Sequence, residues 1–358
     1  MFEDLLRSWD GEEVAVRYDA PSEGWMFVCV HSTALGPGAG GTRMKTYPTP
    51  LDALRDGLRL SGAMTQKNAT AGLPLGGGKA VIAVPEIPQG ETRRELLLRY
   101  ADLVTSLGGT YITACDMNTS ERDMDLIGER SPHVFGRSVD HGGSGSSAPS
   151  TAVGVFHGIR AAVAHAFGSD DLAGRTIAIQ GVGAVGARLA ELLAPEGVSL
   201  VLTDVDELRS KQAAADLGAE VVPAEEAIST PCDVFSPCAT GGVLNATSIP
   251  DLRCRIVAGA ANNQLGEDAD AERLAERGIL YAPDFVVNAG GIIHLASLEL
   301  LGEDEARRDA RLAGIGVTLT ELFGLAEREE ISTGEAARRI AAQRVSHRRD
   351  WRGEGVGS

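Results

Sequence analysis

Two lysines, Lys67 and Lys79, flank a Gly/Pro-rich turn in the stretch MTQKNATAGLPLGGGKAVIAV, residues 64–84. Two ammonium groups in one pocket cannot both be charged cheaply. A bound carboxylate would hold one protonated, while like-charge repulsion and burial would depress the pKa of the other. A lysine that is neutral near working pH can act as a base. Most lysines are solvated surface groups, but Lys79, set between three glycines and an apolar strand, is badly placed for that. A carboxylate, Asp116, follows the short strand Tyr111-Ile112-Thr113, at the kind of strand end where open sheets hold their ligands. The cluster GPGAGGTRM, Gly36 to Met44, is too dense in glycine for a regular element; its bare N–H groups suit an anion, and it reads equally well as a tight surface turn. The glycines before Lys79 do not make a phosphate-binding P-loop, because that motif needs Gly where Leu73 stands and Ser or Thr where Ala80 stands.

A second constellation lies further on. The apolar strand Thr176 to Gln180 runs into Gly181-Val182-Gly183-Ala184-Val185-Gly186, a helix follows over Ala187 to Leu193, and a second strand, Val198 to Thr203, ends in Asp204. This is G-x-G-x-x-G in its proper setting. The glycines permit the tight turn and the close approach of a pyrophosphate to a helix N-terminus. Asp204, 18 residues beyond Gly186, stands where a carboxylate accepts ribose hydroxyls and repels a 2′-phosphate, which favours NAD over NADP.

These groups need elements to hold them. Ala53, Leu54, Leu58, Leu60, Ala63 and Met64 recur at helical spacing, so a helix over Leu51 to Gln66 ends near Asn68. Gly76 to Gly78 then form a bend with φ > 0 that feeds the strand Ala80 to Val84. Val14 to Tyr18 and Trp25 to His31 read as an antiparallel pair, and Leu96, Leu97, Tyr100, Leu103 and Val104 as the stripe of another helix. Between Gly136 and Ser150, GRSVDHGGSGSSAPS has almost no large apolar side chain and reads as a hinge or linker. Helical periodicity resumes over Thr151 to Phe167. Short apolar strands at Asp233 to Ser236, Ile256 to Ala258 and Ile279 to Tyr281 continue a βα alternation that implies a doubly wound parallel sheet. The loops after them carry Cys238, Ala239, Ala260, Asn262 and Asn288, which would surround the nicotinamide end of a cofactor; the asparagines could equally be helix caps. The expected fold is α/β in two domains. A mixed-sheet domain of residues 1–140, to which helices from about 330 to 358 return, stands beside a Rossmann-type domain of residues 141–329, with a cleft between.

Composition narrows the function classes. The 358 residues, 43% hydrophobic and 23% charged, are globular in character, and 33 basic against 50 acidic residues leave a charge of −17 that would be repelled by nucleic acid or anionic lipid. The basic stretch Arg344 to Arg352 reads as a solvated tail. Without an apolar run of spanning length or a basic signal-type N-terminus, the expectation is a cytosolic protein. Five cysteines, an odd number with no C-x-x-C spacing, argue against a disulfide framework or a structural zinc, and the reading is of mostly buried small apolar groups with no metal site.

GPGAGGTRM, MTQKNATAGLPLGGGK, the Asp116 loop, QGVGAVG, AGAANNQL and YAPDFVVNAGGIIH, in this order and spacing, resemble the glutamate/leucine/phenylalanine/valine dehydrogenase family across essentially the whole chain. The resemblance implies NAD(P)-dependent oxidative deamination of an L-amino acid to its 2-oxo acid and ammonia, with two domains closing over the substrate and subunits assembling as dimers or larger oligomers. It makes Lys67 the binder of the substrate carboxylate, helped by backbone near Gly40 and Gly41. It makes Lys79 the base that activates water and Asp116 the proton partner of the amino group. The implied cofactor set is Gly181, Gly183, Gly186, Asp204, Thr151, Cys238, Ala239, Ala260, Asn262 and Asn288, with Asn262 also facing the substrate.

The same resemblance outlines a side-chain pocket of Ala39, Met64, Ala114, Ile292 and Leu295, all apolar. Glutamate-specific members carry a lysine where Ala39 stands, so an acidic side chain would lie here unpaired, at a cost of several kcal/mol. Ala39 in place of a leucine leaves room for an aromatic ring, and Ile292 takes room back. FGRSVDHGGSGSS, STPCDVFSPCA and LYAPDF look phenylalanine-type. One methylene in such a pocket is worth only about 1 to 3 kcal/mol, so relaxed choice among Phe, Leu, Val and Ile is expected. Two other readings stand beside this one. A non-catalytic NAD-binding sensor would be expected to have lost Lys67, Lys79 or Asp116. A hydroxy-acid dehydrogenase would need a histidine paired with a carboxylate, for which His294 is the candidate.

Overall fold

A computed structural model describes the backbone of residues 2–353 and the side chains of residues 3–347. The chain forms two units. One comprises Met1–Ser146, Leu298–Gly302 and Ala341–Ser358, the other Ser147–Ser297 and Glu303–Ile340.

In the first unit the elements run α1 (Phe2–Trp9), β1 (Glu13–Asp19), β2 (Gly24–Ser32), β3 (Gly38–Lys45), α2 (Pro50–Thr70), β4 (Gly76–Ala83), α3 (Gly90–Ser106), β5 (Tyr111–Cys115) and α4 (Glu121–Gly128). The sheet order is β1-β2-β4-β3-β5. β2 pairs antiparallel with β1 and β4, while β3 runs parallel to both β4 and β5. Alternation along β4 divides its side chains between two cores. Val81 and Ala83 join Ala53, Leu54 and Leu58 of α2 on one face; Ala80 and Ile82 join Leu96, Leu97 and Tyr100 of α3 on the other. Cutting one of those fully buried leucines to alanine would cost about 2 to 5 kcal/mol. Thr49 caps α2, its hydroxyl accepting from the Asp52 N–H at 3.2 Å, and Pro50 takes the first turn, where its missing N–H is harmless.

Two expectations for the glycines are corrected. The GPGAGGTRM cluster is not irregular: from Gly38 onward it is the strand β3, inside the sheet. Gly76 to Gly78 are not a bend with φ > 0 but the first residues of β4, so Lys79 lies within the strand. The reason is space. A Cβ on Gly40 would lie 1.9 Å from the Gly78 carbonyl oxygen, one on Gly76 1.8 Å from that of Ser32, and one on Gly77 2.0 Å from Thr65 Oγ1 of α2. Backbones meet where side chains would otherwise stand. The turn itself is made earlier, by Gly72 at φ +65.

The second unit contains α5 (Ala148–Phe167), β6 (Thr176–Gln180), α6 (Ala184–Leu193), β7 (Ser199–Thr203), α7 (Glu207–Leu217), β8 (Glu220–Val221), β9 (Val234–Pro237), β10 (Ile256–Val257), α8 (Asp270–Glu276), β11 (Leu280–Tyr281), α9 (Asp284–Val287), α10 (Gly290–Leu295), α11 (Glu305–Glu329) and the first part of α12 (Thr333–Gly353). Its six strands, in the order β11-β10-β9-β6-β7-β8, are all parallel. This is the doubly wound sheet expected from the alternation, with the order reversing between β6 and β9, where such sheets bind ligands.

Boundaries differ from the sequence reading. The hinge stretch belongs to the first unit as far as Ser146: Glu299 accepts from the N–H groups of Gly136 at 3.1 Å and Ser144 at 2.9 Å, and Asp125 accepts from the N–H and hydroxyl of Ser138, both at 2.9 Å. α5 begins at Ala148, three residues before Thr151. The return to the first unit comes at Ala341 instead of about 330, because Ala341 is the first residue of α12 to pack with Leu35 and Ala69. Arg344 follows, donating to the carbonyls of Ala69 and Thr70 at the end of α2. The cysteines are also more varied than expected: all five are free thiols, Cys29 and Cys254 are buried, Cys232 and Cys238 are half-buried, and Cys115 is exposed.

Candidate active site

Lys79 points from β4 toward the face covered by α2, with a side chain only 7% exposed, and its Nζ lies 3.0 Å from Asp116 Oδ2. The loop that delivers Asp116 is laced onto β3. Asp116 N–H donates to Thr119 Oγ1, Thr119 Oγ1 donates to the Thr42 carbonyl, and Met44 N–H donates to the Met117 carbonyl. Gly41 makes the approach possible, since a Cβ there would lie 2.8 Å from Asp116 Cβ. The sequence thus places an amine and a carboxylate in contact by means of a glycine strand between them.

Two partners were not anticipated. Arg43, in β3, donates from Nε to the same Asp116 Oδ2 at 3.0 Å and from Nη1 to Asp56 Oδ2 at 2.9 Å. Asp56, on α2, also accepts from the Tyr47 hydroxyl at 2.7 Å and from Arg59 at 3.0 Å. Burial pushes the Lys79 ammonium below its ordinary range, Asp116 pulls it back, and the charge of Arg43 presses it further down. Arg43 is thus a like-charge neighbour of Lys79 that the sequence reading did not name. Burial alone would raise Asp116, but the charges and hydrogen bonds of Lys79 and Arg43 outweigh it and hold the carboxyl below its usual range. Once Gly38–Lys45 is read as a strand, period-two alternation puts Arg43 on the α2 face, and that was the signal available.

Of the other residues singled out in this unit, Ala39 and Ala114 are buried in β3 and β5, while Met64 and Lys67 are half-buried one turn apart on α2. A Cβ on Gly40 would also lie 3.1 Å from Met64 Cγ, so the glycine strand, Met64 and Lys79 share one face. Opposite Gly40 and Gly41 the β3–β4 pairing is interrupted between Ala39 and Thr42.

In the second unit Gly181, at φ +94, makes the turn out of β6, and a Cβ on it would lie 2.7 Å from that of Ala239, beside Cys238. A Cβ on Gly186 would lie 1.9 Å from the Gly181 carbonyl. Gly183 differs: its φ is −72 and a Cβ there meets nothing within 4 Å. The space is therefore free on the protein's side, as a pyrophosphate lying against the loop requires. Asp204 ends β7, its Oδ2 accepting from Val182 N–H at 2.8 Å and its Oδ1 from Asp206 N–H at 2.9 Å. Asn288 binds the carbonyl of Ala260 and the side-chain oxygen of Asn262, gathering three of the predicted residues, while its own Oδ1 is buried without a partner. Gln180 Oε1 and Thr203 Oγ1, at the ends of β6 and β7, are buried and unpartnered too. Orphaned polar atoms and an open glycine at the strand ends fit a dinucleotide. Thr151 stands at the start of α5, its hydroxyl 3.1 Å from a Cβ built on Gly291, and Ile292 and Leu295 follow, both buried, on α10. His294 is buried, with Nδ1 2.9 Å from Ser150 Oγ.

A chain that carries both a dinucleotide fold and a buried lysine–aspartate pair has the equipment of a dehydrogenase, and family models agree. Residues 22–133 match the Glu/Leu/Phe/Val dehydrogenase dimerisation domain, and residues 142–206 and 201–353 match Glutamate/Leucine/Phenylalanine/Valine dehydrogenase. The chain belongs to this family and is an NAD(P)-dependent amino acid dehydrogenase acting on a CH–NH2 group. It is 41% identical to leucine dehydrogenase of Thermoactinomyces intermedius, over 98% of this chain and 94% of the relative. It is 44% identical to valine dehydrogenase of Streptomyces coelicolor, over 94% of this chain and 93% of the relative. Among solved structures, L-tryptophan dehydrogenase from Nostoc punctiforme is 38% identical with a TM-score of 0.85, covering 98% of this chain and 100% of that one. No helix among the described residues is long and apolar enough to cross a membrane.

Proposed function

We propose that the enzyme oxidatively deaminates an apolar L-amino acid of the leucine, valine or phenylalanine class, with NAD as the oxidant, and that Lys79 and Asp116 do the proton chemistry. The observation that carries the reading is the buried Lys79 ammonium in contact with Asp116, displaced toward its neutral form. Lys67 on α2 binds the substrate carboxylate, and the glycine backbone at Gly40 and Gly41 lies on the same face. The nicotinamide, when bound, accepts a hydride from the substrate Cα. Lys79 takes a proton from the water that attacks the resulting iminium carbon, and Asp116 exchanges protons with the departing nitrogen. Ala39, Met64, Ala114, Ile292 and Leu295 are apolar and offer no cation to an acidic side chain. Leucine and valine dehydrogenases among the relatives support leucine and valine ahead of phenylalanine as candidates.

Asp204 supports NAD over NADP. A second carboxylate, Asp206, stands two residues on, and Arg209 lies between the two, 3.7 Å from Asp204 and 3.4 Å from Asp206, so its charge is already engaged. Gly181, Gly183, Gly186, Thr151, Cys238, Ala239, Ala260, Asn262 and Asn288 complete the proposed cofactor contacts. A cytosolic homo-oligomer fits the five free thiols and the dimerisation domain in the family description.

One panel tests the proposal: the twenty amino acids, each with NAD and with NADP, followed by NADH or NADPH formation across pH. Turnover is expected with apolar L-amino acids and NAD. It should rise with pH to a midpoint below the 10.5 of an ordinary lysine, since only neutral Lys79 accepts a proton. Equal rates with glutamate would refute the substrate class.

A further inference from the structure

We propose that Arg43 is a positioning residue for this reaction: its guanidinium, anchored from behind by Asp56, is the fixed counter-ion that holds the Asp116 carboxylate in place whether or not Lys79 carries a proton. The inference rests on the reading of Lys79 as the base and adds a requirement to it. A lysine that must give and take a proton is an unreliable partner for a buried carboxylate. With Lys79 alone, loss of its proton would leave Asp116 without a counter-charge, and the pair would resist deprotonation. A guanidinium does not titrate in this range and can bond two carboxylates at once through a rigid fork.

The geometry has that form. Lys79 Nζ and Arg43 Nε both reach Asp116 Oδ2 at 3.0 Å, while Arg43 Nη1 turns the other way to Asp56 Oδ2 at 2.9 Å. Asp56 is itself held by Tyr47 and by Arg59, whose side chain is 57% exposed, so the chain of alternating charges runs from the buried amine to the surface. The side chains of Arg43 and Asp56 are 14% and 16% exposed. An arginine and an aspartate so far withdrawn from water add little as an isolated stabilising pair, which points to a task at Asp116.

The groups bearing on Lys79 come from every neighbouring element: Asp116 from the loop after β5, Arg43 from β3, and Asp56 from α2. Lys67 lies on α2 as well, and Cys29 of β2 is paired with Lys79 in register. Arg43 presses the Lys79 proton off, and Asp56 helps keep it on. The two substitutions therefore move the pH profile in opposite directions, which a role confined to folding would not do.

The test measures kcat and KM of the full-length enzyme across pH for the wild type and for Arg43→Gln, Arg43→Lys, Asp56→Asn and Lys79→Ala, with thermal midpoint and NADH binding as checks of fold. Arg43→Gln is expected to lose about 100-fold in kcat at neutral pH, with KM for the amino acid nearly unchanged and the alkaline midpoint raised by about one pH unit. Arg43→Lys should restore the midpoint but not the full kcat, because an ammonium cannot span both carboxylates. Asp56→Asn should lose only a few-fold, with the midpoint lowered. An Arg43→Gln enzyme with the wild-type midpoint and kcat, beside an inactive Lys79→Ala, overturns this inference alone. Full turnover by Lys79→Ala overturns the base assignment and this inference with it. If Arg43→Gln does not fold, the sign of the Asp56→Asn shift decides: downward supports the inference, and zero or upward overturns it.

Discussion

Glycine serves opposite ends in the β3–β4 strands of the first unit and at Gly183 of the second. In the first, Gly40, Gly76 and Gly77 have ordinary strand dihedrals and are glycine because another backbone or side chain fills the Cβ position. In the second, Gly183 also has an ordinary φ, but the space beside it is empty of protein. One set lets the protein approach itself; the other leaves room for something else. The lesson is that a glycine-rich stretch near a functional residue does not reveal by composition which of these it is.

Substitution separates the two. Gly40→Ala should be the most damaging change, because the methyl would sit 1.9 Å from a strand carbonyl that cannot yield. We expect a loss of about 3 kcal/mol or more, or no folded protein at all, read by thermal or denaturant unfolding. Gly183→Ala should leave the melting temperature where it is and raise KM for NAD roughly 10-fold or more, as its methyl intrudes on the pyrophosphate. If Gly183→Ala instead melts early with unchanged KM, the contrast fails.

The units differ in their charges as well. Asp19, Asp56, Asp116 and Asp123 of the first are held below the ordinary 3.8. Burial works against each, and is outweighed by partners that include Arg99 for Asp19 and Arg93 for Asp123. Glu207, Glu303 and Glu335 of the second are held low by Lys211, Arg311 and Arg339, all within a few turns along the chain. A carboxyl whose folded pKa is depressed gives stability that is complete above its unfolded value and is lost as pH falls through the folded one. Acid should therefore weaken the long-range pairs of the first unit as pH falls below 3.8, and tryptophan fluorescence on acid titration should report it, since Trp9 and Trp25 lie there. A fluorescence transition already complete above pH 3.8 would count against this. The smallest effect concerns Gly72, where φ is +65 and a Cβ meets nothing: Gly72→Ala should cost only about 1 kcal/mol, from backbone strain alone.

Much of this was legible in the chain. The strand, glycine turn, helix and acid of the dinucleotide site have fixed spacing and local causes, so β6, α6 and β7 lie where periodicity puts them. Lys79 and Asp116 stand out by residue type and by their place beside strands, and they lie in contact. What could not be read is what other strands contribute. The glycines of β3 and β4 look like turn residues until β5 and α2 stand beside them, and Arg43 is one arginine among many until Asp56 and Asp116 arrive from elsewhere in the chain. β8, two residues long and mostly solvated, carries too little pattern to show. The stretch after Gly136 reads as a hinge or linker because its own side chains are small; Glu299, far along the chain, fastens it.

The last feature to arrive is Arg344, whose guanidinium closes the carbonyl end of α2 from 275 residues away. A helix end is ordinarily finished by its own neighbours within a turn or so. Here Ala71, Gly72 and Leu73 do so for Lys67, Asn68 and Ala69, and Arg344 adds a distant donor to Ala69 and Thr70. A fragment ending at Ser146 would lack this cap, together with Ala341 and the Glu299 fastening. The N-terminal half, for all that it holds the lysine pair, is not a module that can be cut out and expected to stand by itself.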